Sequence, residues 1–110
     1  MPKYKVKVTT FAEDALREIA KYILDEFKSP QASIHTLQSI RKGISTLDEM
    51  PSRVHLTPEE PWKSNGIRRL RVENYYVYFW IDEAKLLVQI TNVVYVGRDQ
   101  KKQLRIMPME

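Results

Sequence analysis

The chain has 110 residues, 43% of them hydrophobic and 29% charged, and 18 Lys and Arg residues against 14 Asp and Glu residues give it a net charge of +4. This length predicts a single domain spanning residues 1–110, and the composition excludes an intrinsically disordered chain. Cysteine is absent and neither a signal peptide nor a membrane-spanning stretch is recognisable, so we expect a cytoplasmic protein without disulfide, metal or cofactor.

A strand and a helix open the chain. Residues 4–9 alternate polar and apolar side chains and are rich in β-branched residues, which predicts a half-buried strand. Thr10 and Glu13 then fit a capping box, in which each side chain satisfies an unpaired amide at a helix start. The apolar residues of this helix recur at helical spacing and should face a core: Ala12, Ala15, Leu16, Ile19, Ala20, Ile23 and Phe27.

A second helix should follow almost at once. Ser29 is a suitable N-cap and Pro30 a favoured first-turn residue. Met50 precedes Pro51 and should end the helix, because the residue before a proline resists helical geometry. Since few residues separate the two helices, they should form an antiparallel hairpin. The apolar side of the second helix consists of Leu37, Ile40, Ile44 and Leu47.

The second half of the chain predicts a sheet. Residues 52–63 resemble a loop, and three strand-like runs follow at residues 67–72, 75–81 and 86–95. Turn-type connections join these runs, which predicts an antiparallel three-strand meander whose middle strand is buried on both faces. The tail, residues 97–110, is compatible with a short helix or with disorder. The expected fold is therefore α+β, with an N-terminal strand and a helical hairpin packed on a mainly antiparallel sheet.

Arginines are concentrated on the first strand of the meander. Strand alternation places Arg68 on one face and Arg69 with Arg71 on the other, and it leaves open which face the helices cover. Tyr95 and Arg98 should lie at the margin of the sheet. Such groups could hold a phosphate by bidentate hydrogen bonds and stack a base on the tyrosine ring.

The order of the elements, together with several short segments, resembles the toxins of type II toxin–antitoxin modules in the RelE/ParE superfamily. The segments are Tyr22-Ile23, residues 47–51, residues 66–72, Asn74-Tyr75, Val94-Tyr95 and Arg98-Asp99. The resemblance implies a small basic toxin that arrests growth and is held inactive by a cognate antitoxin. The antitoxin would lay an amphipathic helix in a groove or add a strand at an open sheet edge.

The resemblance also implies site residues and a choice of target. Some members of the superfamily cleave mRNA in the ribosome, whereas ParE-like members poison DNA gyrase without evident catalysis. Tyr76 occupies a position where the RNA-cleaving members commonly carry Arg, which favours the gyrase-directed, ParE-like interpretation. The candidate target- or RNA-binding residues are Lys63, Arg68, Arg69, Arg71 and Arg98, and the candidate catalytic residues are Arg71, Tyr95 and Arg98.

Two alternatives stay open. The first is a ribosome-dependent mRNA endoribonuclease that works without metal. The second is a basic α+β binding domain without toxicity, since arginines on a strand commonly serve solubility and cross-strand pairing. The aromatic residues of the middle run are typical of a sheet core, and Trp62 is expected to anchor the loop before the meander. His35 and His55 are expected to be ordinary polar residues.

Overall fold

The computed structural model describes residues 2–108 and contains one four-stranded sheet and three α-helices within that range. Two short 3₁₀ turns, Thr46–Asp48 and Pro51–Arg53, follow the second helix. The elements in chain order are β1 Lys5–Val8, α1 Thr10–Phe27, α2 Pro30–Ser45, β2 Arg68–Val72, β3 Tyr75–Asp82, β4 Leu87–Tyr95 and α3 Gln100–Ile106. The predicted α+β fold is confirmed.

The strands lie in the order β1-β4-β3-β2, with β1 parallel to β4 and the other neighbours antiparallel. The predicted meander is therefore β2, β3 and β4, and β3 lies inside the sheet as expected. The predicted helix in the tail is present as α3, while Met109 and Glu110 of that tail lie outside the described residues. None of the helices within residues 2–108 is both long and apolar enough to cross a bilayer.

Apolar residues pack on both faces of the sheet. The larger core joins α1 and α2 to one face and contains Leu16, Ile40 and Phe79. The smaller core lies on the other face, where Leu104 of α3 packs against Tyr78 of β3. The structure thus settles the question that strand alternation left open: Val77 and Phe79 face the helical hairpin, and Tyr76, Tyr78 and Trp80 face α3 and the loop before β2.

The first helix begins one residue before the predicted capping box. Thr9 has extended backbone, and its Oγ1 accepts a hydrogen bond from the amide of Ala12 at 3.2 Å. Thr10 is already helical, so the box predicted for Thr10 and Glu13 is wrong: the helix starts directly at the end of β1, and the last extended residue becomes the cap. Glu13 instead accepts a hydrogen bond from Arg41 of α2 at 2.8 Å.

The second helix starts as predicted and ends earlier. Ser29 caps it through the amide of Ala32 at 3.1 Å. It ends at Ser45 and not at Met50, because the hydroxyls of Ser45 and Thr46 donate to backbone carbonyls three residues back, at 2.7 and 2.6 Å. These local bonds favour a tightened 3₁₀ turn over another helical turn.

The most consequential feature of the sheet is a difference in strand length. β1 pairs with only the first part of β4, from Lys5 opposite Leu87 to Val8 opposite Ile90. The chain then turns into α1. Beyond Ile90, no strand within residues 2–108 pairs with this side of β4. The last residues of β4 therefore form an unpaired sheet edge.

Candidate partner-binding groove and basic face

A groove with a volume of about 1310 Å³ runs between α1 and α3, and the open half of β4 forms its floor. Large apolar side chains in it face solvent: Tyr22 is 61% exposed, Phe27 67% and Ile106 59%. A continuous exposed apolar surface of this kind is typical of a protein-binding site. The position of the groove was not predicted, because it depends on where three separate elements end.

The two walls of the groove differ in charge. Asp14 and Glu18 line it from α1. Arg98 and Lys102 line it from the segment that contains α3. A partner bound here would match an acidic wall on one side and a basic wall on the other, which restricts its orientation.

Tyr95 and Arg98 lie together at one end of the groove. The chain turns tightly after β4, with the amide of Arg98 donating to the carbonyl of Tyr95 at 3.0 Å. The Tyr95 ring packs edge-on against Tyr75, with 5.9 Å between ring centroids. Gly97 makes room for that ring, since a Cβ at Gly97 would lie 2.5 Å from Tyr95 Cε2. Arg98 itself is exposed.

Gln100 fixes this end of the groove. Its Oε1 accepts a hydrogen bond from the hydroxyl of Tyr78 at 2.7 Å, and its Nε2 donates to the carbonyls of Tyr95 and Arg98 at 3.0 and 2.8 Å. One side chain therefore joins the sheet, the turn after β4 and the start of α3. No sequence pattern singled out Gln100, because a single glutamine in a basic tail belongs to no recognisable spacing.

Arg68 is engaged inside the protein. It is half-buried, and its Nη1 donates to the backbone carbonyls of Ser52 and Val54 at 3.2 and 2.6 Å. The guanidinium thus holds the loop after α2 against the first residue of β2.

Arg69 is engaged as well, on the opposite face. Its guanidinium carbon lies 4.0 Å from the centre of the Tyr76 ring, and its Nη1 lies 3.5 Å from Glu59 Oε2. Glu59 in turn accepts a hydrogen bond from the hydroxyl of Thr57. Burial raises the pKa of the neighbouring Tyr78 to about 12, an effect that the nearby Arg69 guanidinium opposes. Tyr78 therefore stays neutral at physiological pH.

Lys63 and Arg71 are exposed, as is Arg98. The only side-chain hydrogen bond of Arg71 found within residues 2–108 runs from its Nε to the carbonyl of Glu73 at 2.9 Å. The five residues predicted to bind a target thus divide into two that make internal contacts, Arg68 and Arg69, and three that face solvent.

The predicted catalytic residues are not all brought together. Arg71 aligns across the strands with Tyr76 and Val94, whereas Tyr95 aligns with Tyr75 and Val72. Residues opposite one another on neighbouring strands point to the same face, so Arg71 and Tyr95 point to opposite faces. Tyr95 and Arg98 share the end of the groove, and Arg71 lies on the face that α3 covers.

The two histidines lie apart from these residues. His35 Nε2 is 3.8 Å from Glu73 Oε2, and the backbone carbonyl of His55 accepts a hydrogen bond from the amide of Arg69 at 3.1 Å. Within residues 2–108, no group of three His, Asp or Glu side chains could hold a metal ion.

A protein-family model described as the ParE toxin of the type II toxin–antitoxin system parDE matches residues 6–100. Among solved structures, the chain is similar to a chromosomal ParDE system from P. aeruginosa, with 21% identity over 86% of this chain and 98% of that chain and a TM-score of 0.72.

It is also similar to the toxin–antitoxin complex RelBE2 from Mycobacterium tuberculosis, with 21% identity over 86% of this chain and 93% of that chain and a TM-score of 0.61. A mutant of the E. coli toxin RelE in the free state gives a TM-score of 0.61 at 11% identity, covering 92% of both chains. No curated protein sequence matches significantly. At these identities the structural matches show a shared fold.

Proposed function

Because the chain belongs to the family of ParE toxins of type II toxin–antitoxin systems, we propose that this toxin arrests growth by binding DNA gyrase and that it does not cleave RNA. Gyrase acts on the chromosome, so the cytoplasm is the proposed compartment.

The observation that carries this proposal is the separation of Arg71 from Tyr95 on opposite faces of the sheet. Metal-free RNA cleavage needs an acid, a base and a positive charge around one phosphate. Arg68 donates to backbone carbonyls on the helical side, so it does not complete such a set. Tyr78, with its pKa of about 12, is a poor general base near neutral pH. A binding mechanism requires no such convergence.

The proposed contacts with gyrase come from the exposed cations Lys63, Arg71 and Arg98. Their side chains can reach a partner without breaking an ion pair, since within residues 2–108 none of the three forms a salt bridge. Arg68 and Arg69 support this surface from inside.

The groove is the proposed seat of a cognate antitoxin. Its exposed apolar residues and its two oppositely charged walls suit an amphipathic partner segment. Because Arg98 lies at the end of the groove, a bound antitoxin would also cover one of the proposed gyrase contacts. Neutralisation then follows from competition for one surface.

The test compares two reactions of the purified toxin. With gyrase and supercoiled plasmid, we expect cleaved DNA to accumulate in proportion to toxin, and an Arg98→Ala variant of equal stability should lose most of this effect. In a purified translation reaction, the mRNA should stay intact. Codon-linked mRNA cuts together with unaffected gyrase would contradict the proposal and establish the endoribonuclease alternative.

A further inference from the structure

The short helix α3 has three sides that differ in their surroundings. Gln100 and Leu104 face the sheet, where the first bonds Tyr78 and the second packs in the smaller core. The residues of α3 that line the groove are Lys102, Gln103 and Ile106. Because successive helical residues are about 100° apart, Lys101 and Arg105 lie together on the remaining side, turned away from the groove. Both are exposed.

This remaining side of α3 looks along the sheet towards β2. The groove lies at the open edge of β4, and the strand order places β3 and then β2 on the opposite side of α3. Arg71 of β2 is aligned with Tyr76 on the sheet face that α3 covers, and it is exposed. We call Arg71, Lys101 and Arg105 the α3–β2 basic face. Across residues 2–108 none of these three cations forms an ion pair.

The carboxylates that neighbour this face in the chain have contacts of their own. Asp99 caps α3 through its Oδ1. Glu59 Oε2 lies 3.5 Å from Arg69 Nη1. Glu73 Oε2 lies 3.8 Å from Nε2 of His35, on the side of α2. The positive charge of the face is therefore available to an anion from outside the protein.

The surface chemistry of this face differs from that of the groove. The groove combines both signs of charge with exposed apolar side chains such as Tyr22 and Ile106. The large apolar side chains that are exposed among residues 2–108 lie in the groove, on the helical hairpin or in connecting loops. Protein–protein interfaces have an apolar, charge-depleted centre, whereas protein–DNA interfaces are more polar and much more positively charged. The groove thus suits a protein, and the α3–β2 basic face suits DNA.

We propose that the α3–β2 basic face binds the phosphate backbone of the DNA duplex that gyrase holds, so that the toxin contacts both the enzyme and its DNA. This inference rests on the proposed gyrase target. The contact assigned above to Arg71 is then a contact with DNA, while Arg98, at the end of the groove, contacts gyrase itself. Contacts to phosphate carry no sequence information, so the toxin binds duplexes of any sequence.

The first experiment measures binding of the toxin alone to a short fluorescent DNA duplex by anisotropy. Three phosphate contacts predict that the affinity falls about 40-fold between about 50 and about 200 mM salt. The double variant Lys101→Gln with Arg105→Gln leaves one contact, so its affinity should fall only about 4-fold over the same range. The matched control is Lys21→Gln with Lys42→Gln, which removes the same charge from exposed positions on the helical hairpin and should behave like the unaltered toxin.

Two results of this experiment would overturn the inference. The first is an equal salt dependence for the unaltered toxin and the double variant, or no binding to the duplex at low salt. The second is binding to an RNA duplex of the same sequence that is at least about tenfold tighter, because discrimination of that size would assign the face to RNA.

The second experiment separates this inference from the proposed target. Immobilised gyrase without DNA should bind the double variant as tightly as the unaltered toxin. With gyrase and supercoiled plasmid, the variant should accumulate at least about fivefold less cleaved DNA, because one of two linked contacts is lost. If the double variant loses binding to DNA-free gyrase, the face contacts the enzyme, and the inference is wrong while the target stands. An unaltered toxin that binds the duplex and does not bind gyrase would overturn both.

Discussion

Arg68 and Arg71 lie on the same five-residue strand, β2, yet they serve different purposes. The guanidinium of Arg68 is half-buried and donates to the backbone carbonyls of Ser52 and Val54, whereas Arg71 is exposed and its Nε donates to the nearby carbonyl of Glu73. Residues three positions apart on a strand point to opposite faces, so Arg68 meets the loop after α2 and Arg71 does not. A count of basic residues therefore overstates the binding surface of this toxin.

The largest expected effect is on the free energy of unfolding, which should respond to a change at Arg68 and hardly at all to a change at Arg71. Arg68→Met keeps much of the apolar stem and removes both hydrogen bonds to the loop, so we expect the free energy of unfolding to fall by about 2 kcal/mol. Arg71→Met is the matched control and should change it by no more than about 0.5 kcal/mol. Urea unfolding at neutral pH measures both. Equal losses in the two variants would show that burial does not distinguish them.

Replacing Arg69 should cause the next largest loss of stability. Its replacement by Met removes the contact with the Tyr76 ring and leaves Glu59 without its cation, and we expect a loss of about 1 kcal/mol. Because Glu59 is the partner left behind, combining Arg69→Met with Glu59→Gln should cost less than the sum of the two single changes. Strict additivity in this cycle would mean that the ion pair contributes nothing.

The pH dependence of stability tests Tyr78, on the same face of the sheet. An unfolded tyrosine ionises near its ordinary pKa of about 10, whereas Tyr78 stays neutral up to about 12, so the folded state binds more protons between these values. The free energy of unfolding should therefore fall as the pH rises from about 10 towards 12. Tyr78→Phe lacks this titration, so its stability should fall less steeply over the same range. Parallel curves for the two proteins would contradict the raised pKa.

The smallest expected effect on stability accompanies a large effect on function. Arg98→Ala removes an exposed side chain at the end of the groove and should leave the free energy of unfolding within about 0.5 kcal/mol of the original. Cells in which the same variant is induced should keep growing, because Arg98 is a proposed gyrase contact. If the variant still arrests growth at equal expression, Arg98 does not contribute to gyrase binding.

Sequence patterns predicted the local elements well, because they depend on neighbours along the chain. Alternation located the three strands of the meander to within a residue, and Ser29 with Pro30 marked the start of α2. The capping of α1 was missed by one residue, since Thr9 and Thr10 have equivalent side chains and only the end of β1 decides between them.

The candidate site was less predictable, because its properties arise from distant pairings. The open half of β4 exists only because β1 is four residues long and β4 is nine. The opposite directions of Arg71 and Tyr95 depend on the register of three strands, including an irregularity between Tyr78 and Phe79. The carbonyls that engage Arg68 belong to a loop that no periodicity describes.

The claim that this toxin binds its target and does not cleave RNA is tested most directly by Tyr95→Phe. Within residues 2–108 the hydroxyl of Tyr95 has no hydrogen-bond partner, and its ring is half-exposed, at 50%. We predict that this variant arrests growth as fully as the unaltered toxin when each is induced without antitoxin. If Tyr95 transfers a proton in RNA cleavage, removing its hydroxyl should reduce activity by roughly 100-fold or more. Loss of arrest in a variant that is folded and expressed at the same level would contradict the binding mechanism.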